Sequence, residues 1–393
     1  MSSIFIAFLQ LFSVIGIGSA IEKILGIEKK SFFEQLIFGV GSIIFIEYLI
    51  NYLGFLYQIK TTKEIFNWAL ISIGIVLFLK EYGKSIVLVF QTKFKFEKPI
   101  KFQNVGLIAL GILLAIFILM LIVRSATPCR EGDALTGYFF SSKWISEKGF
   151  AINPYNLKYW HFPLGIESFY SLSFNLGFPN SSKVFEVLIL VAFLFQFYNK
   201  SSNVFGVIIL AVIALTLPDY KQIGTGKIDI FCSSLFGYLL YKIGSGIKKE
   251  DIWIYVFLFF IMLVSKYTFW ILLVIPGITI LYHFRKDFIQ LSIFILSCVI
   301  ALTLVTVKNF ISTGNPVAPF GKDHILTKNV FLEHHSDHAI FKVSNCYDYL
   351  INPESIGFTW LFFIVLALGI VATLRHIYLK EKFKLVSHLY LLH

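Results

Sequence analysis

The chain has 393 residues, of which 57% are hydrophobic and 15% charged, with 44 phenylalanines and a mean hydropathy of +0.78. Soluble domains carry about 25% charged residues, so this composition excludes a water-soluble globule. The net charge of +11 would suggest a nucleic-acid partner in a soluble protein, but no nucleic-acid-binding motif is present and the basic residues gather beside apolar runs, where they set membrane orientation.

Apolar runs near the ~20 residues a spanning helix needs recur at 4–26, 33–57, 65–82, 104–124, 183–199, 204–218, 229–244, 252–265, 268–284, 288–307 and 355–378. These predict an all-α polytopic membrane protein with about eleven spans by hydropathy. The ~10-residue alternating segments of a membrane β-barrel are missing. The first lysine is Lys23, so residues 4–26 lack a basic leader and read as a retained span rather than a cleaved signal peptide. The stretch 252–284 reads either as two short spans broken at Ser265-Lys266 or as one long tilted helix. Residues 163–178 are apolar but Ser/Gly-rich and, at about 16 residues, short for a span. They are expected to form a helix at the membrane surface. Residues 385–392 read as the start of a further apolar run.

Short loops dense in lysine (Lys80 to Lys101, Lys200, Lys242 to Lys249, Lys380 to Lys384) alternate with two long loops, 125–182 and 308–354, that are poorer in Lys and Arg. The positive-inside rule puts the short basic loops in the cytoplasm and both long loops outside. Cys232 and Cys298 fall in apolar runs and read as core residues. Cys129 and Cys346 fall in polar loops, where they are either free thiols or, if both face an oxidising compartment, a pair.

The chemistry-bearing residues cluster around the first long loop. Glu131 and Asp133, one residue apart just beyond a helix end, suit either a shared divalent cation or general-base work. Desolvation at an interface would make either carboxylate a stronger base. The aromatics Tyr138, Trp144, Tyr155, Tyr159, Trp160 and Phe162 read mainly as an interfacial belt, with Trp160 and His161 the candidates for direct sugar contact. Glu167, Asp229 and Lys266 are ionisable residues beside or within apolar runs. Such groups cost about 2.5–3.5 kcal/mol at a helix centre and tend to mark sites, although a helix cap for Asp229 and snorkelling for Lys266 are the plainer readings. On the expected topology these three fall on the same external face as Asp133. Gly314-Asn315-Pro316 has turn chemistry. His334, His335, Asp337 and His338 match no standard zinc spacing and read as a solvated loop.

Four stretches in order carry a resemblance: GDALTGYFFSSKWISEKGF, HFPLGIESFY, GKIDIFCSSLFGYLLY, and the pair VSKYT and KNFISTGNPVAPF. Together they resemble the GT-C superfamily of membrane glycosyltransferases, and more closely bacterial relatives of the protein mannosyltransferase and aminoarabinose transferase group. The resemblance covers about residues 104–320. It implies a GT-C-like catalytic core over 104–320 that includes the external loop 125–182. Residues 1–103 would then be additional N-terminal spans, and 321–393 a second external loop with a C-terminal span. It further implies a polyprenyl-phosphate-linked sugar donor, transfer outside the cytoplasm at a bacterial plasma membrane, usually with inversion, and an acceptor that is a glycan, lipid or protein.

On this resemblance Asp133 is the catalytic base. Asp229 is a second acid near the donor phosphate or a metal such as Mg or Mn held with Glu131, and Lys266 pairs with the lipid phosphate. Glu131, Trp160, His161, Glu167 and Asn315 complete the expected substrate site. The chain carries Gly137-Tyr138 where close relatives often have Tyr-His. Two other classes fit a many-span protein with a large external loop. A polysaccharide polymerase or O-antigen ligase would rely on external arginines and histidines, and this side has only the arginines Arg124 and Arg130, which argues against that class. A lipid-linked glycan transporter should show two interrupted halves, and none are visible.

Overall fold

In this computed structural model the described residues are 2–28, 31–57, 60–91, 102–128, 134–151, 163–201, 224–226, 228–313 and 316. The chain divides into two compact units, Met1–Gly206 with Gln222–His335, and Val207–Lys221 with Ser336–His393. All described residues belong to the first unit, and every regular element among them is helical. The elements are α1 (Ser2–Ile24), α2 (Phe32–Tyr57), α3 (Lys60–Gln91), α4 (Phe102–Ser125), α5 (Phe139–Lys148), α6 (Gly165–Asn175), α7 (Ser181–Ser201), α8 (Asp229–Gly244), α9 (Ile252–Leu263), α10 (Tyr267–Leu272), α11 (Val274–Phe284) and α12 (Phe288–Thr313). A π-turn, Ala134–Tyr138, leads into α5.

Among the described residues, Ser2–Ile24, Phe32–Tyr52, Lys63–Val87 and Phe288–Ile311 are long and apolar enough to cross a membrane. Two of them leave most of that apolar surface uncovered by protein: only 28% of the third window and 17% of the fourth is buried. Side chains such as Ile73, Val76, Ile295, Leu296 and Val299 stand exposed on these helices. Apolar surface on that scale needs a lipid solvent, which makes this a membrane protein. The expected spans 229–244, 252–265 and 268–284 are helical but shorter than a crossing helix. The runs 204–218 and 355–378 lie outside the described residues.

Helices α1, α2 and α3 form the tightest part of the core. A Cβ on Gly16 would strike the Gly74 carbonyl of α3, and one on Gly18 would strike the Gln35 carbonyl of α2. In lipid there is little hydrophobic drive between helices, so backbone approach through small residues supplies the packing. The basic end of α2 is fixed by a capping box: Ser31 N–H donates to Glu34 Oε2 (3.0 Å) and Glu34 N–H to Ser31 Oγ (3.4 Å). The other carboxylate oxygen of Glu34 accepts from Tyr238 Oη (2.6 Å) and Lys242 Nζ (3.1 Å), and Lys242 also pairs with Asp251 (2.8 Å). This fully partnered network ties α2 to both ends of the α8–α9 connection.

Two local features settle sequence ambiguities. The stretch 252–284 is broken: α9 ends at Leu263, Lys266 takes an extended backbone (φ −155°, ψ 135°), and α10 starts at Tyr267. The second feature is α6. It is short, as its length predicts, but it is enclosed by protein rather than laid on a surface: every residue from Gly165 to Ser173 is buried. Its small residues explain this. Gly165 N–H donates to the Val264 carbonyl at 2.6 Å, and a Cβ at Gly165 would collide with that same residue. Tyr48 of α2 donates its hydroxyl to the Pro163 carbonyl. Between these anchors Leu164 is held at φ +65°, a left-handed backbone that a branched residue adopts at a cost.

Candidate functional site

The anchors on α6 and the break after α9 bring the ionisable residues singled out in the sequence to one place. Asp229 occupies the first turn of α8, where no side-chain cap is formed. Its carboxylate instead pairs with Lys266 Nζ at 2.5 Å. Lys266 makes this contact from an extended backbone, in the break between α9 and α10. Lys266 also reaches Tyr138 Oη at 3.3 Å, with its ammonium 5.8 Å from the ring centroid. Tyr138 ends the π-turn, a helix irregularity common at functional sites.

Glu167, in the first turn of α6, is 1% exposed, and its Oε2 has no hydrogen-bond partner among the described residues. It lies within electrostatic reach of Lys266, Lys308 and Asp229. Lys308 is fully buried near the end of α12, where it donates to Asn309 Oδ1 at 3.2 Å. Asn309 in turn donates to Tyr267 Oη at 2.9 Å, next to Lys266 in the chain. Burial pushes the Glu167 carboxyl up to about 7 despite the opposing pull of the two lysines. At Lys266 burial acts the other way, but Tyr138 and Asp229 outweigh it and raise the ammonium above its usual range. The site therefore holds a firmly charged lysine, a second buried lysine, one ion-paired acid and one carboxyl poised near neutrality. Such an array can bind an anion and exchange a proton beside it.

The remaining expected residues, Glu131, Asp133, Trp160, His161 and Asn315, lie outside the described residues, as do Cys129 and Cys346. The chain on both sides of 129–133 is described as far as residues 128 and 134. On the N-terminal side, Ser125 at the end of α4 abuts Gly224, and on the C-terminal side Phe139 abuts Gly226. Gly226 stands three residues before Asp229 in the chain. The belt reading fails for Tyr138, which is 6% exposed. Trp144 is half-buried and donates to the Ala151 carbonyl at 3.1 Å. Cys232 and Cys298 are free thiols, the first buried and the second half-buried, in line with a core reading.

Of the two carboxylates expected to hold a divalent cation, Glu131 lies outside the described residues. Asp229 is already held by an ammonium, Glu167 faces two lysines, and no group of three or more His, Cys, Asp or Glu among the described residues could hold a metal. A hard dication asks for several oxygen ligands, and these described residues do not fit one.

The family model described as Domain of unknown function (DUF8201) matches residues 1–329. The chain belongs to that family. No curated protein and no solved structure matches the chain. The family match runs through all four stretches that carry the site, from the 129–133 segment to Lys308, and includes the three N-terminal helices.

Three residues near the site escaped the sequence reading: Lys308, Tyr138 as a site residue, and Tyr48. Lys308 carried a usable signal, a lone charge closing a long apolar run. Tyr138 and Tyr48 carried none, because buried tyrosines are common in a chain with this many aromatics.

Proposed function

We propose that this protein is a membrane glycosyltransferase of GT-C type that moves a sugar from a polyprenyl-phosphate-linked donor to an acceptor on the external side of the membrane. The observation that carries this reading is the pairing of Lys266 with Asp229, beside buried Glu167 and Lys308, at the point where both flanks of the 129–133 segment converge. A lipid-borne donor arrives laterally, so its phosphate needs cations held at membrane depth, and half-buried Lys266 with buried Lys308 meets that need.

In the proposed reaction Asp133 removes the proton from an acceptor hydroxyl or amine as that atom attacks the anomeric carbon. The bond from that carbon to the phosphate oxygen breaks with inversion, and polyprenyl phosphate leaves with the bonding electron pair. The negative charge developing on the leaving phosphate is stabilised by Lys266, with Lys308 reinforcing the local potential; fixed charges in a water-poor site are the strongest form of this stabilisation. Asp229 holds Lys266 in place, and Glu131, Trp160, His161 and Asn315 contribute to substrate binding. The topology that goes with this reading has about eleven spans, with the loop 125–182 facing the periplasm or exterior of a bacterial plasma membrane.

The test is donor turnover. Purified protein in nanodiscs is offered a panel of polyprenyl-phosphate sugars, and release of polyprenyl phosphate is followed for the wild type and Asp133→Asn. Release by the wild type, reduced about a hundredfold or more by the substitution, is the expected result for loss of a general base. Undiminished release by Asp133→Asn would remove the assigned base, and no release from any donor would turn the reading toward a transporter.

A further inference from the structure

The N-terminal part of α7 holds two charges that the proposed chemistry does not use. Lys183 is 2% exposed and Glu186 is 0% exposed. They lie three residues apart, on one helix face. Burying such groups costs several kcal/mol each unless they are well partnered, and apolar residues would pack α7 as well. Their partners are specific. Lys183 Nζ donates to the backbone carbonyl of Thr127, two residues before the segment 129–133. Glu186 accepts from the backbone N–H of Gly226 at 3.3 Å, with the Gly224 N–H also engaged. Gly224 and Gly226 stand at φ +70° and +92°, a geometry that turns successive backbone N–H groups toward one anion.

From this geometry we infer that Lys183 and Glu186 are positioning residues: a two-pronged clamp on α7 that fixes the approach to the 129–133 segment with one charge and the approach to Asp229 with the other. The wedge between them is the 224–226 turn. It fits against Ser125 on one side and Phe139 on the other, and at neither glycine is there room for a Cβ. The two acid-bearing approaches therefore touch each other, and α7 holds both from behind. Releasing Glu186 frees the turn that starts α8 and loosens Asp229 from Lys266. Releasing Lys183 frees the chain leading to 129–133. The inference rests on the site described above and needs no particular reaction there.

The experiment reads the geometry directly. Full-length protein in nanodiscs is treated with a small amine-acylating reagent, and modification of Lys266 is timed by mass spectrometry. Glu186→Ala is expected to speed Lys266 acylation by about tenfold, the change that follows loss of about 1.4 kcal/mol of local protection. Glu186→Gln keeps one acceptor oxygen for the turn and is expected to retain most of the protection. If the alanine substitution fails to fold, Glu186→Met, which fills a similar space without an acceptor for the turn, takes its place with the same acceleration expected. Glu34→Gln breaks a network at the other end of α8 and controls for general destabilisation; its Lys266 acylation should match the wild type. For the other prong, Lys183→Met should change the alkylation rate of Cys129 by at least about threefold on the same scale. A wild-type Lys266 rate in Glu186→Ala or its methionine substitute, or equal acceleration by Glu34→Gln, would overturn the clamp. The readout does not depend on sugar transfer, so an inactive wild type would remove the proposed function while leaving this result to stand or fall separately.

Discussion

Replacing Lys266 by Met and Asp229 by Asn, singly and together, measures the interaction around which the site is built. The pair is close, 2.5 Å, and unequally shielded: the lysine side chain is 18% exposed and the aspartate 39%. Fully exposed pairs contribute about 0.2–1 kcal/mol, whereas removing one partner of a fully buried pair costs about 3–5 kcal/mol. With the aspartate more than a third exposed, solvent screening discounts the buried figure, and a coupling of about 1–2 kcal/mol is expected. Lys266→Met should cost more than Asp229→Asn, because it also removes the contact to Tyr138 and one of the cations facing buried Glu167. The assay is reversible unfolding in mixed micelles by anionic-detergent titration, read as a double-mutant cycle. A coupling below about 0.5 kcal/mol, the level at which independent sites simply add, would refute the claim that this pair organises the site.

Two further outcomes follow from the same residues. Glu167 has its carboxyl raised from 4.5 to about 7 by burial. The native state then binds more protons than the unfolded chain between those values, so the group's contribution is fully present below about pH 4.5 and is lost as pH rises through 7. The loss is on the order of 3 kcal/mol for a shift of this size, and Glu167→Gln should flatten stability across that window; an unchanged slope would mean that Glu167 is not buried as described. For topology, Lys148 is exposed at the end of α5, so Lys148→Cys in a background with Cys129 and Cys346 replaced by serine should react with an impermeant maleimide applied to intact cells. Protection there, with reaction only after permeabilisation, would reverse the proposed orientation. Ser141 would be a poor reporter, since it is fully buried.

What the sequence disclosed depended on how costly each feature is in an apolar setting. Glu167, Asp229 and Lys266 were legible because an ionisable residue beside a spanning run is expensive, and the structure does bring those three together. Their partners were harder to find. Lys308 sits at the end of a run that hydropathy alone treats as span, and Lys183 and Glu186 look like an ordinary polar helix entrance until their backbone partners are known. The capping box at Ser31 and Glu34 was in plain view as S-x-x-E before an apolar run.

The placement of 163–178 was half legible. Its length argued against a span, but its glycine and serines read as interfacial polarity, whereas Gly165 packs closely against Val264 and Ser168 and Ser171 donate to carbonyls of the preceding turn. The break after α9 was offered by Ser265-Lys266 as one of two readings. The structure selects it because the extended backbone at Lys266 lets its ammonium meet Asp229. Span length was the least legible property: α8, α9 and α11 are too short to cross a membrane alone, although their composition matches that of crossing helices.

The claim that this site receives a lipid-borne phosphate is tested most directly by binding. Fluorescent polyprenyl phosphate would be titrated into nanodiscs holding the wild type, Lys266→Arg or Lys266→Met. Saturable binding by the wild type, largely kept by arginine and weakened about tenfold by methionine, is the expected result, since tenfold corresponds to about 1.4 kcal/mol, a modest value for one charge-assisted contact. Equal affinity in all three proteins would contradict the account.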